Sequence, residues 1–408
     1  MSRNLTTIFI IFAVSLSLAI LGGLVWANVL YVRAHPGEKD FFVPWLAART
    51  FIQYGDNPYS EAAAQRAQII YYGRLAAEGE SSLYLWLPFP VELFYIPFAL
   101  IPDYAVARAV WMAFLEIALV ALALLSIQVT GWKVGRLLLS FILIFSVLWV
   151  YGFFSLAECS AAVFAALALA GALLAMRSER DELAGALLGL LLWTPRLAGF
   201  LLLFLGWWII FHRRWRFLWG CLMLQIFLFL FAFFFLPGWV IPYLHGAVAH
   251  NAYGLGLSSI GVLNSWYPGI GTNLGWLISA GLLFLLFFEW SLSIRKDSRR
   301  FLWTISLTLA CTPLLGIPLA PKELVILFFP LIFFGSILAE RWPRFLGMGA
   351  AAFTLLVTFA GLWLLASGLR PASLAQTEML TFVLPILLII GLYWMRWWIA
   401  RPAPESFA

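Results

Sequence analysis

The chain has 408 residues, of which 64% are hydrophobic and only 11% are charged, and its mean hydropathy is +0.96. Soluble domains carry about 25% charged residues, so this composition excludes an ordinary soluble globular protein. The net charge is +6. Because the positive charges lie in short clusters beside apolar runs rather than along one soluble face, they indicate membrane orientation and not a nucleic-acid partner.

The hydrophobic pattern predicts an all-α polytopic membrane protein with about 12 transmembrane helices, since an apolar run of about 20 residues crosses a bilayer. The first run is longer than the apolar core of a secretory signal peptide, and we interpret it as an uncleaved anchor. The predicted spans lie near residues 7–31, 107–127, 137–153, 156–176, 183–195, 197–211, 217–236, 273–294, 301–319, 322–339, 345–366 and 378–398.

One further apolar segment, LYLWLPFPVELFYIPFALIP at residues 83–102, contains four prolines and Glu92. Proline removes a backbone donor and clashes with the preceding turn, so such a segment is tolerated at membrane depth only where protein or water satisfies the backbone. We therefore predict a re-entrant or interfacial segment that does not cross. This choice leaves residues 32–106 in one long loop.

The distribution of lysine and arginine predicts the orientation. Most of these residues outside the long loop fall on one side of the predicted spans, which the positive-inside rule makes cytoplasmic. Both termini are then cytoplasmic, and the loops 32–106 and 237–272 face outward. Many carboxylates lie in the first outer loop, so carboxylate chemistry is expected outside, whereas Glu289 is expected to extend to the cytoplasmic boundary. We divide the chain into a catalytic module, 1–236, and a C-terminal transmembrane module, 237–408.

The outer loop begins with DFFVPWLAARTFIQYGDNPYSEAAAQRAQIIYYGRL at Asp40. Trp45, Ala48 and Ile52 recur at helical spacing, which predicts a short amphipathic helix in the membrane interface with Asp40 near its N-terminus. The following GDNPY sequence, which ends at Tyr59, is a turn. An aspartate at a helix entry is more often a cap than a catalyst, so Asp40 alone does not identify an active site.

The order of several motifs resembles the polyprenyl-phosphate-sugar-dependent glycosyltransferases of the GT-C fold, and in particular the family 87 alpha-mannosyltransferases. The first motifs in chain order are the apolar anchor, the outer Asp40-Phe41 with its helix, the G-x-x-P-Y turn, the proline-rich segment ending in Ile101-Pro102, and Ala107-x-x-x-Trp111. Later motifs are Leu156-Ala157-Glu158, Thr194-Pro195, and Thr312-Pro313 followed by KELVILFFP. The chain departs from such enzymes where they usually carry Gly-Gln, Lys-Pro and Ser-Pro.

The resemblance implies an inverting transferase that moves a mannose-like sugar from a polyprenyl-phosphate donor to a lipid-linked or cell-envelope glycan acceptor. The reaction would occur on the outer face of a bacterial plasma membrane, without a cofactor, and the lipid phosphate is already a good leaving group. Such a site needs a base for the acceptor hydroxyl and cations for the departing phosphate. Asp40 is the candidate base.

The remaining candidate site residues are assigned by charge and position. Arg196 and Lys322 lie at outer span ends, where an unpaired cation facing lipid is costly, so each either contacts the donor phosphate or extends to the interface. His250 is a further phosphate contact. His245 and His250 are five residues apart, which does not match a helical metal pair, and no metal site is predicted. The candidates for acceptor and sugar binding are Glu158, which is alternatively a hydrated span end, Tyr59 and Asn251.

The alternative function is a transporter or flippase of lipid-linked saccharides, which would also have many spans and buried charges. Transporters often show paired repeats with broken helices at the midplane. Here the irregular segments cluster on one predicted face, and the sequence shows no internal repeat. This pattern favours the enzyme.

Overall fold

The computed structural model describes residues 3–36, 39–252, 257–295, 298–367 and 374–400. These residues form α-helices and short 3-10 helices, and no β-strand occurs among them apart from the isolated bridge between Leu257 and Leu319. Most of the long helices are apolar over their whole length. The chain is therefore an all-α, multi-pass membrane protein.

The α-helices are numbered in chain order. They are α1 Arg3–Ala34, α2 Lys39–Tyr54, α3 Glu61–Tyr72, α4 Phe89–Glu92, α5 Ile96–Ala99, α6 Tyr104–Thr130, α7 Arg136–Leu148, α8 Val150–Ala157, α9 Ala162–Arg177, α10 Asp181–Leu191, α11 Pro195–Phe211, α12 Trp215–Phe235, α13 Val240–Ala252, α14 Ser259–Trp266, α15 Gly271–Ser293, α16 Ser298–Cys311, α17 Phe328–Arg341, α18 Arg344–Ser367, α19 Leu374–Trp394 and α20 Arg396–Ala400. Three 3-10 helices cover Leu93–Tyr95, Thr312–Leu314 and Pro321–Leu327.

Within the described residues, seven helical stretches are long and apolar enough to cross a membrane. The helices α7 and α8 together make an eighth, although the chain bends by 46° between them. Each of these stretches overlaps a predicted span, so the multi-pass architecture is confirmed, and the total of 12 spans stays a prediction. The seven stretches are Val14–Ala34, Tyr104–Thr130, Trp215–Phe235, Gly271–Ser293, Pro321–Arg341, Phe345–Ser367 and Thr377–Trp394.

The other predicted spans form shorter helices. Among them, α10 has 11 residues, which at the helical rise is about 16 Å and roughly half of the hydrocarbon thickness. Likewise α16 ends at Cys311, where the chain continues as a 3-10 turn that contains Pro313. Proline cannot donate the next helical hydrogen bond, which explains the early end of this helix.

The proline-rich segment 83–102 contains no helix of full spanning length. Its apolar helical part, Phe89–Ala99, is divided into α4, a 3-10 turn and α5. Pro90 and Pro97 lie in the first turns of α4 and α5, where a missing N–H costs nothing. The segment is about 16 Å long as a helix, which agrees with the prediction that it does not cross.

The chain divides into two compact units. The first comprises Met1–Ile117, Leu156–Cys159 and Gly238–Ala249. The second comprises Ala118–Ser155, Ser160–Pro237 and His250–Ala408. Each unit contains residues from both sides of position 236, and the predicted functional division into modules 1–236 and 237–408 stays a prediction.

In the first unit, α2 packs into the core. The predicted helix is confirmed, and Trp45 and Ala48 are buried, whereas Ile52 is 40% exposed. Phe41, Phe42 and further residues around the helix are also buried. Because α2 is covered on most sides, it lies inside the unit instead of presenting one apolar face to the interface.

In the second unit, α10 and α12 approach each other closely through two glycines. A Cβ atom added to Gly185 would lie 1.9 Å from the carbonyl oxygen of Phe217, and one added to Gly220 would lie 2.0 Å from that of Glu182. Arg214 and Asp181 form a 2.8 Å ion pair at the start of the same helix pair. The backbones therefore touch at positions where only glycine fits.

Glu289 in the second unit corrects one sequence expectation. Glu289 is only 2% exposed, so its side chain does not extend to the membrane boundary. Its carboxylate pairs with Arg300 and, at 2.9 Å, with Arg396, and the Tyr393 hydroxyl donates to it at 3.2 Å. The isolated sequence does not reveal these partners because they come from helices α16, α19 and α20.

Candidate functional site

Asp40 lies in the first turn of α2 and is half-buried. The helix is fixed by two hydrogen bonds to the chain after Phe89: the indole Nε1 of Trp45 donates to the Phe98 carbonyl at 3.1 Å, and Arg49 Nη1 donates to the Ala99 carbonyl at 3.0 Å. Pro44 lacks the N–H that would donate to the Asp40 carbonyl in a regular helix. These contacts hold the backbone of Asp40 in place, and the Asp40 carbonyl lacks the usual helical donor at position 44.

Phe41, the next residue, anchors this turn in an aromatic cluster. Its side chain is fully buried. Its ring centroid lies 5.7 Å from that of Trp111, and 6.0 Å from those of Tyr95 and Tyr104. Tyr95 in turn stacks on Trp111 with centroids 4.7 Å apart. Burial of these rings favours one orientation of the turn, and so one position for the neighbouring carboxylate.

Arg108 and Trp111 on α6 hold the second candidate carboxylate. Arg108 is 2% exposed and donates from Nη1 to the His35 carbonyl at 2.7 Å and from Nη2 to the Ala157 carbonyl at 2.6 Å. Trp111 Nε1 donates to the Cys159 carbonyl at 3.3 Å. These bonds flank the half-buried Glu158 on both sides. The short segment Leu156–Cys159 is therefore fixed against α6.

Electrostatic contacts place the two carboxylates in one neighbourhood of the first unit. The Cys159 thiol interacts with Arg108, Asp40 and Glu158, and the Tyr95 hydroxyl also interacts with Asp40. The geometry agrees, because Phe41, which follows Asp40, packs on Trp111, and Trp111 donates to the carbonyl of Cys159, which follows Glu158. Two of the predicted site residues, Asp40 and Glu158, thus lie in the same part of the first unit, together with the buried Arg108, which the sequence analysis did not select.

Tyr59 and Glu92 form a buried group near α2. Tyr59 is 7% exposed, and its hydroxyl donates to the Leu87 carbonyl at 2.6 Å. Burial and the nearby Glu92 raise the pKa of Tyr59. This placement gives Tyr59 a structural contact, and its predicted role in sugar binding stays a prediction.

Glu92 itself is 2% exposed, and neither carboxyl oxygen has a hydrogen-bond partner among the described residues. Burial raises the pKa of Glu92 well above its ordinary value. Because desolvation disfavours the charged form, we expect the neutral acid at pH 7. The sequence analysis used Glu92 only as an argument against a span.

The second unit holds the two candidate phosphate-binding cations close together. Arg196 lies at the second position of α11, and its Nη2 pairs with Glu323 at 2.8 Å. Glu323 also accepts the backbone N–H of Ala320 at 2.8 Å. Its neighbour Lys322 is fixed through its main chain, since the Ser155 hydroxyl donates to the Lys322 carbonyl at 2.6 Å.

One edge of the Arg196 guanidinium remains available. Its Nη1 is buried and has no hydrogen-bond partner among the described residues. A buried, unsatisfied donor on a charged group costs free energy, so it indicates a position where an acceptor can bind. An anionic oxygen would satisfy this donor through a charge-assisted hydrogen bond.

Two further predicted site residues lie in α13. His250 and Asn251 belong to α13, but their side chains lie outside the described residues. In the described part of the chain, no three side chains of the metal-binding types His, Cys, Asp and Glu come together. Comparison with protein-family models found no match, and neither curated proteins nor solved structures gave a significant match. The family resemblance therefore stays a prediction.

Proposed function

We propose that the protein is an integral-membrane glycosyltransferase that moves a mannose-like sugar from a polyprenyl phosphate to a lipid-linked or cell-envelope glycan acceptor. The reaction takes place on the outer face of a bacterial plasma membrane. One observation supports the proposal most directly: Trp111 packs on Phe41, which follows Asp40, and donates to the carbonyl of Cys159, which follows Glu158. Two carboxylates attached to one fixed side chain suit general base catalysis with an oriented acceptor.

In the proposed reaction, Asp40 accepts the proton of the acceptor hydroxyl as that oxygen attacks the anomeric carbon. The bond between this carbon and the lipid-phosphate oxygen breaks, its electron pair leaves with the phosphate, and the configuration inverts. Polyprenyl phosphate and the glycosylated acceptor are the products. Glu158 orients the acceptor through its carboxylate, and Arg108 holds the backbone beside Glu158 through the Ala157 carbonyl.

Arg196 is the proposed contact for the departing phosphate. One of its nitrogens already pairs with Glu323, which fixes the guanidinium plane, and its buried Nη1 can donate to a phosphate oxygen. Lys322 adds a second positive charge beside Glu323. Charge that develops on the leaving oxygen is stabilised by such preorganised donors.

Transfer from a radiolabelled polyprenyl-phosphate sugar into membrane acceptors tests the assignment of Asp40. We expect Asp40→Asn to lower the rate by about 10²- to 10⁴-fold, because the amide keeps the shape of the side chain but cannot accept a proton. The matched control is Asp56→Asn in the same loop, since the Asp56 side chain is 41% exposed and forms an ion pair with Arg66 at 2.8 Å in the described structure. Wild-type transfer by Asp40→Asn would show that Asp40 is not the base.

The same preparation separates the enzyme from a transporter. If the wild-type protein consumes no labelled donor while lipid-linked saccharide crosses vesicle membranes only when the protein is present, the transferase proposal is wrong. If the wild-type protein does consume the labelled donor, a panel of donor lipids with different sugars identifies which donor it uses.

A further inference from the structure

Several helix ends of the second unit meet through arginine contacts. At the start of α16, Arg299 pairs with Glu340 near the end of α17 at 2.7 Å. Arg396 of α20 pairs with Glu289 near the end of α15. The guanidinium of Arg341 lies over the Trp398 ring, 5.6 Å from its centroid. We call this end of the unit the basic end.

Positive charge exceeds negative charge at the basic end. Its charged residues within the described structure are Arg295, Arg299, Arg300, Arg341, Arg396, Glu289 and Glu340. Lys296, Asp297 and the side chain of Arg344 lie outside the described residues and do not belong to this set. Three positive charges therefore remain in excess, and a surface with such an excess attracts anions.

The ion pairs of the described structure leave a hydrogen-bond donor of Arg396 unused. Both oxygens of Glu289 are occupied, one by Arg300 and the other by Arg396 and Tyr393. Arg396 nevertheless keeps a buried Nε without a hydrogen-bond partner among the described residues. Arg295 and Arg341 contact the rings of Phe211 and Trp398 rather than carboxylates in the described structure.

Exposed tryptophans surround these charges. Trp342, Trp394 and Trp397 are 37%, 56% and 61% exposed. Tryptophan side chains in membrane proteins concentrate at the level of the lipid headgroups, where the ring is apolar and the N–H is wet. The excess positive charge therefore lies at the depth of the lipid phosphates, and not in bulk water.

We propose that the basic end binds the headgroup of an anionic glycerophospholipid such as phosphatidylglycerol. The phosphodiester accepts hydrogen bonds from the guanidinium groups of Arg295, Arg341 and Arg396, while the acyl chains lie along the apolar helix surfaces beside the tryptophans. Each basic charge near an anionic lipid contributes about fivefold in affinity, so the excess gives a marked preference over zwitterionic lipid. This inference does not depend on the proposed transferase activity.

The full-length protein in a neutral detergent provides the test. Its unfolding temperature is measured while phosphatidylglycerol, phosphatidylcholine or inorganic phosphate is titrated. We expect phosphatidylglycerol to raise the unfolding temperature at much lower concentration than phosphatidylcholine, and inorganic phosphate to have no effect. The double variant Arg295→Gln/Arg341→Gln should need about 30-fold more phosphatidylglycerol, since two charges are lost.

Two controls make the result specific. Arg66→Gln/Arg74→Gln removes two exposed cations of the first unit and should respond as the wild type does. Arg295→Lys/Arg341→Lys keeps both charges and should retain the lipid response, which separates charge loss from misfolding. Equal effects of the two lipids, an unchanged response of the glutamine variant, or a response to inorganic phosphate as large as that to phosphatidylglycerol would each overturn the proposal.

Discussion

Arg108 is a buried cation that pairs with backbone carbonyls. Its described hydrogen bonds go to the carbonyls of His35 and Ala157, which carry no formal charge. The guanidinium thus joins the chain after α1 to the segment that carries Glu158, and it holds the backbone next to that carboxylate. The sequence alone could not assign this role, because the carbonyl acceptors lie 73 and 49 residues away along the chain.

Glu92 gives a prediction about stability and pH. The unfolded chain releases its proton near the ordinary pKa, whereas the folded chain keeps it to higher pH, because burial raises the pKa of Glu92. The folded state then binds more protons, and wild-type stability falls as pH rises from about 4.5 towards the folded pKa, by up to about 1.4 kcal/mol per pH unit. We expect Glu92→Gln to lack this decrease, so that it unfolds at a higher temperature than the wild type at pH 8 but not at pH 5.

The control for this experiment is Glu78→Gln, which changes an exposed carboxylate in the same stretch between α1 and α6. Its unfolding temperature should follow that of the wild type at both pH values. If Glu92→Gln has the same pH dependence as the wild type, then the carboxyl does not stay neutral in the folded protein.

At the scale of the element, the pair α10 and α12 depends on two glycines. Replacing Gly220 by alanine puts a methyl group where the Glu182 carbonyl already lies, so the backbones must separate. We expect Gly220→Ala to lower the free energy of unfolding by about 1–3 kcal/mol. Denaturant titration of the purified protein measures the change.

Gly199 offers a matched comparison on the neighbouring helix α11. Nothing lies within 4 Å of a Cβ atom added there. Because alanine favours the helix over glycine, Gly199→Ala should leave stability equal or raise it by up to about 1 kcal/mol. A similar loss of stability in both variants would mean that close packing is not the cause.

Hydropathy located the helices well but not their lengths. Apolar runs fixed the positions of α6, α12 and α15, since each is apolar over a full spanning length. The run at 183–195 instead divides into a short α10 and a turn before Pro195. Helix ends are set by caps, prolines and tertiary contacts, which an average over apolar residues does not record.

At the scale of the whole molecule, the charge pattern predicts the side of each loop. Single cysteines at Glu78 and Ser406 test it in intact cells with a membrane-impermeant maleimide. We expect Glu78→Cys to react directly, and Ser406→Cys to react only after the membrane is permeabilised, because the C-terminus is predicted to be cytoplasmic. The wild type supplies the background, as Cys159 and Cys311 are buried and Cys221 is half-buried.

Labelling of Ser406→Cys in intact cells would reverse the predicted side of the C-terminus. Since each crossing changes the side of the chain, the pair of results also fixes whether an odd or an even number of spans separates residue 78 from residue 406. The labelling pattern therefore tests the parity of the predicted count after the first outer loop.

The candidate site was predictable in part. Asp40 followed from the turn and helix after the first span, and Glu158 from a polar residue at a span end. The contacts around the candidate residues were not predictable: Arg108 donates to the backbone carbonyl beside Glu158, and Glu323 pairs with Arg196 although 127 residues separate them. Sequence patterns report local periodicity, whereas these contacts depend on how distant segments pack.

The first unit is built from separate segments of the chain, and this determines when it can be completed during synthesis. Residues 238–249 belong to it, and the ring of Tyr243 packs against that of Tyr59 with centroids 6.4 Å apart. Gly246 passes so close to the Leu85 carbonyl that a Cβ atom would lie 2.3 Å from it. During synthesis, helices α2 to α5 therefore remain without part of their packing partners until residues 238–249, more than 130 positions further along the chain, have been translated.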